Sequence, residues 1–61
     1  MAYETYTELD EVRVHKFGGR IGVINKVIYE MVDGQETDNV YAYEVTIDGE
    51  GGYIVYPHEI D

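Results

Sequence analysis

The residues able to do chemistry in this chain are few, and what is missing decides much. Neither serine nor cysteine occurs, so a hydroxyl or thiol nucleophile of the usual kind has no residue to sit on. Thr5, Thr7, Thr37 and Thr46 have no paired base near them in sequence. Thirteen Asp and Glu supply carboxylate pairs in abundance. Acid–base catalysis needs a cleft that pushes two such pKa values apart, and a 61-residue chain has little volume for one. His15 and His58 could in principle join acids to hold a metal, but a histidine on the outer face of a strand and another after a proline turn read first as plain surface residues. The segment DGQETDN (33–39) carries three acids but lacks the length and terminal bidentate Glu of a calcium loop. The sequence therefore predicts a non-enzymatic domain with no metal and no cofactor.

Charge is the strongest functional signal. The formal net charge is −9. Arg13, Lys16, Arg20 and Lys26 are the only basic residues besides the histidines, and four acids balance them within residues 1–26. Residues 27–61 hold nine acids and neither Lys nor Arg. Such a field repels nucleic acid and anionic lipid and attracts basic surfaces. Direct nucleic-acid binding is thus not expected. The predicted partner is a protein with a basic surface, such as a nucleic-acid-binding protein. The candidate partner-binding residues are Glu30, Asp33, Glu36, Asp38, Glu44, Asp48, Glu50, Tyr53 and Tyr56. In the sharpest form of this reading the acids stand in for phosphates, spaced at about one per 1.7 Å of duplex axis. The chain would then be a small inhibitor of the nucleic-acid-mimic kind that phages and other mobile elements use, a likeness of size and charge. The alternative is an interaction module that docks a larger complex through exposed tyrosines and the Arg13–Lys26 band. There the acidity serves solubility.

The elements that must position these residues read as β throughout. No window keeps helical spacing, whereas Tyr, Val, Ile and Thr cluster between Gly- and Asp-rich breaks. Residues 11–16 (EVRVHK) alternate, with Val12 and Val14 to one face and Arg13 and His15 to the other. A Gly18-Gly19 turn follows. Residues 21–32 form a long strand, expected to bend at Gly22 so that Ile21, Ile24 and Val27 share the inner face. Residues 33–39 read as a polar loop opened by an Asp-Gly turn signal. Residues 40–48 alternate, placing Tyr41, Tyr43, Val45 and Ile47 in the core. A tight turn over 49–52 leads to a short strand over 53–56. Pro57 then starts a 3₁₀-like turn that returns Ile60 to the core. Tyr3, Tyr6, Tyr29, Tyr53 and Tyr56 are candidate surface tyrosines. Residues 1–10 read as an arm or edge segment, and residues 11–61 as the domain. The start of the chain has neither the basic region nor the apolar stretch of a signal peptide, and no apolar run is long enough to span a membrane. A cytoplasmic location follows as the default.

The order Glu11-Val12-Arg13-Val14, then Gly19-Arg20-Ile21-Gly22-Val23-Ile24, then Val27, resembles the opening of SH3-like barrels of the KOW and Tudor-like kind. The close, Tyr43-Glu44-Val45-Thr46-Ile47 followed by Val55, Pro57 and Ile60, is similar to the end of that superfamily. The resemblance spans residues 10–61 and implies a single all-β barrel of four to five antiparallel strands with a short 3₁₀ turn near the C-terminus. The chain has no Trp, which departs from polyproline-binding SH3 domains, and its acidity departs from RNA-binding KOW domains.

Overall fold

The computed structural model describes residues 5–61. It is all-β, with four strands and two 3₁₀ turns. Strand β1 is Glu11–Val14, followed by a 3₁₀ turn at His15–Phe17. Strand β2 is Arg20–Val32, β3 is Gln35–Ile47 and β4 is Glu50–Val55. A second 3₁₀ turn, Pro57–Glu59, precedes the last residues. The strands pair antiparallel in the order β1-β2-β3-β4. The sheet is open, since β1 and β4 do not pair with each other. The outer edge of β1 instead meets the end of the chain. Val14 bridges Ile60, the Arg13 N–H donates to the Asp61 carbonyl at 2.7 Å, and the Asp61 N–H donates to the Arg13 carbonyl at 3.1 Å.

The β2–β3 and β3–β4 connections are built alike. Asp33-Gly34 and Asp48-Gly49 each place two successive residues at positive φ, 51° and 78° in the first pair and 52° and 81° in the second. That backbone has the twist that two-residue hairpins require, and Asp followed by Gly is a pair that tolerates it. The expected polar loop over 33–39 therefore shrinks to one two-residue turn, and Gln35 to Asn39 are strand. The expected turn over 49–52 shrinks in the same way, with Glu50, Gly51 and Gly52 already in β4.

One core lies under the sheet, formed by Val12, Val14, Ile24, Tyr43, Val45, Ile47, Val55 and Ile60, all buried. Tyr6, Phe17, Val27, Val40 and Tyr53 pack around it half-buried. Ile60 thus reaches the core, as its position after the Pro57 turn suggests.

Two expectations about side-chain direction, at Ile21 and Tyr41, fail through register, and the expected places of the bulge and of His15 shift as well. Gly22 holds regular pairing with Val12 and Ile47, so no bulge forms there. Its role is close packing: a Cβ at Gly22 would lie 3.2 Å from Ile47 Cγ1. With Gly22 facing inward, Ile21 faces out and is 55% exposed. The extra residue is Asn25, between the pairs Ile24↔Val45 and Lys26↔Glu44. Its side-chain amide donates to Thr46 Oγ1. A second extra residue, Tyr41, sits between Ile28↔Ala42 and Tyr29↔Val40. That bulge breaks the alternation of β3, and Tyr41 is 54% exposed where alternation placed it in the core. His15 belongs to the first 3₁₀ turn, because β1 ends at Val14.

Within residues 5–10 the chain makes a turn at Glu8 and Leu9 and no strand. It is tied down by the Leu9 N–H on the Ile24 carbonyl and the Ile24 N–H on the Asp10 carbonyl. The remainder of the expected arm, with Tyr3, lies outside the described residues. No helix among the described residues is long and apolar enough to cross a membrane.

Candidate protein-docking site

The structure splits the acids predicted to act together into two groups at opposite ends of β3. Glu30 near the end of β2, Asp33 in the turn, and Glu36 and Asp38 in the first part of β3 form one group. All four are exposed. The register places Glu36 opposite Met31. None of the four takes part in the three ion pairs among the described residues, which are His15–Asp61, Lys16–Glu59 and Arg20–Asp48.

Asp48 and Glu50 lie at the other end of β3. Asp48 Oδ2 accepts from Arg20 Nη1 at 2.9 Å, so its charge is already answered within the chain. Glu50 opens β4 opposite Ile47. Glu44 lies in the last third of β3, half-buried, with Lys26 opposite on one side and Ile54 on the other.

Two of the four cations are engaged outside the first group. Lys16 Nζ donates to the Ile54 carbonyl at 2.8 Å, stands 3.5 Å from Glu59 Oε1 and lies over the Phe17 ring. Arg20 holds Asp48. The idea of one continuous basic band from Arg13 to Lys26 therefore loses two of its four members to internal contacts.

The two tyrosines of the predicted site also part company. Tyr53 is half-buried and stands edge-on to Phe17 with ring centroids 5.2 Å apart, which makes it a support of the core. Tyr56 is exposed, edge-on to Tyr41 at 5.7 Å and stacked on His58 at 6.1 Å. The interaction of the Tyr41 hydroxyl with Tyr56 raises the Tyr41 pKa above its ordinary value, first by hydrogen bonding and then by charge and slight burial. Tyr6 and Tyr29, expected at the surface, are half-buried.

Sequence reasoning did not find the groove beside this aromatic pair. Ile28, Tyr29, Glu30, Met31 and Tyr41 line an open depression of about 490 Å³. Met31 is 61% exposed and Tyr41 54%. The signal needed was the bulge at Tyr41, which strict alternation conceals. No group of three His, Asp or Glu side chains that could hold a metal occurs among the described residues.

Comparison with protein-family models, with curated proteins and with solved structures finds no match to this chain.

Proposed function

We propose that this chain is a non-enzymatic, acidic protein-binding domain that occupies a basic surface of a partner protein, in the manner of a nucleic-acid mimic. The observation that carries the reading is the set Glu30, Asp33, Glu36 and Asp38. These four exposed carboxylates sit on the β2–β3 hairpin, where no Lys or Arg of the chain forms an ion pair with them. An unanswered acidic ribbon attracts a basic surface and speeds encounter with it. We also read the sheet as a small SH3-like barrel, supported by the Val14–Ile60 bridge that ties the chain end to β1.

A pull-down from bacterial lysate with the tagged protein tests the binding role, run at low and high salt with and without competing duplex DNA. Recovery of a nucleic-acid-binding protein that both salt and DNA displace is the expected result. Glu36→Gln combined with Asp38→Asn should weaken that recovery. A partner unmoved by salt, by DNA and by these substitutions would overturn the mimic and shift recognition to the Tyr41–Tyr56 surface.

A further inference from the structure

The acidic ribbon is not purely polar. Its exposed side chains include Met31 and Val32 near the turn and Tyr41 at the bulge. Met31 and Tyr41 line one depression, and exposed apolar side chains gathered within a polar rim mark interaction sites. The depression, about 490 Å³ and open to solvent, has room for one large side chain. Its lining joins Ile28, Met31 and Tyr41 to Glu30. Glu36 stands across the hairpin from Met31.

We propose that this groove takes one large apolar side chain from a basic segment of the partner, with Lys or Arg on either side of that anchor reaching Glu30 and Glu36. The inference deepens the proposed function and rests on it, since it assigns the anchor that a charge-only contact lacks. Charge complementarity selects the occupant. Glu30 lines the groove and Glu36 pairs across the hairpin with Met31, and neither acid joins an ion pair among the described residues, so the segment that fills the groove brings positive charge. A second copy of this chain is disfavoured by the same argument. It would bring a net charge of −9 and set the acids of one hairpin against those of the other. Apolar anchors in a charged rim are the arrangement in which a few contacts dominate binding while surrounding charges set specificity.

The test uses two labelled synthetic peptides of equal length and charge, one alternating Lys with Leu and the other alternating Lys with Gly. Fluorescence anisotropy measures their binding to the full chain. The Leu peptide should bind roughly tenfold tighter or more, the effect of sheltering one apolar side chain from water. Tyr41→Ala and, separately, Met31→Ser should bring it down to the Gly peptide while leaving the Gly peptide unchanged. Both side chains are largely exposed, so neither change empties the core. Glu36→Gln with Asp38→Asn should weaken both peptides alike. Equal binding of the two peptides, or a Leu preference that survives both groove variants, would overturn the anchor and leave the acidic binding role standing. Binding of neither peptide would count against both. Self-association by sedimentation that Tyr41→Ala abolishes would make a second copy the occupant and overturn the proposal.

Discussion

Tyr41 and Tyr43 are two positions apart on one strand, yet they have opposite duties. Tyr43 is buried, and its hydroxyl accepts a hydrogen bond from the Tyr6 N–H at 3.2 Å, tying residues 5–10 to the core. Tyr41 is turned outward by the bulge it occupies. Composition and alternation gave the two the same reading, because a bulge leaves no mark on residue type. Removing each hydroxyl separates them. Tyr43→Phe should lower stability by about 0.5–1.5 kcal/mol, the net worth of a partly buried hydrogen bond, whereas Tyr41→Phe should lie within about 0.5 kcal/mol of the parent. Urea unfolding of both variants decides it, and equal losses would contradict the assignment. Gly22 sets a second residue-scale expectation. The Cβ introduced by Gly22→Ala would press on Ile47, Val14 and the Thr46 carbonyl at 3.2–3.4 Å. These are core and backbone atoms with little room to give, so a loss of about 1–3 kcal/mol is expected. An unchanged urea midpoint would show that the β1–β2–β3 layer is looser than this packing implies.

The Asp-Gly turns were legible at the scale of elements, because a two-residue hairpin demands positive φ twice and few residue pairs supply it. Gly34 has open space where a Cβ would go but a φ of 78°, so Gly34→Ala carries no clash and only backbone strain. A cost of about 1–2 kcal/mol follows from that strain alone, measurable by thermal unfolding, and no loss would mean the turn is not held in this form. The strands beyond that turn were not legible. Gln35 to Asn39 read as loop because they lack an apolar face, but this part of the ribbon reaches past the core and is exposed along most of its length. A strand wet on both faces needs no alternation, so its pattern carries no message. The grouping of the acids was hidden for the same reason. Their identities are plain in the chain, but which of them share an end of the hairpin is set by register. The Pro57–Glu59 turn adds a pH dependence. Glu59 Oε1 accepts the Tyr56 N–H at 2.9 Å, and this bond holds the Glu59 carboxyl below its ordinary value. Desolvation opposes the shift, and Lys16 and His58 assist it. A depressed folded pKa means a stabilising contribution that is present above the unfolded value of about 4.3 and lost as pH falls through the folded one. Glu59→Gln should therefore flatten the acid side of the stability profile, and an unchanged slope below pH 5 would remove Glu59 as a source of it.

The whole molecule carries two opposing electrostatic effects, and their balance under added salt can be argued in advance. Three ion pairs link described residues, His15–Asp61, Lys16–Glu59 and Arg20–Asp48, and each has substantial side-chain exposure on at least one partner. Pairs of this kind contribute about 0–1 kcal/mol each, and salt weakens them. Against them stands a net charge of −9 on a surface of 4421 Å². Folding gathers those charges into a body of 35 × 26 × 17 Å, whose longest dimension is close to the screening length of about 30 Å at about 10 mM salt. At low salt the repulsion is therefore felt across most of the molecule, and added salt screens it. The excess of acids over bases is several times the number of pairs, so relief of repulsion wins. Tm should rise as sodium chloride goes from about 10 mM to 150 mM, where the screening length falls from about 30 to 8 Å. Neutralising Glu36 and Asp38 together should raise Tm at low salt and shrink that dependence, because both lie in the unpaired acidic group. The same substitutions are expected to weaken the partner complex, so stability and binding would move in opposite directions. That opposition separates carboxylates kept for recognition from carboxylates that hold the fold. A fall in Tm on their removal, or a fall in Tm with salt, would place these acids in the structure's own support and leave the proposed binding role without its principal observation.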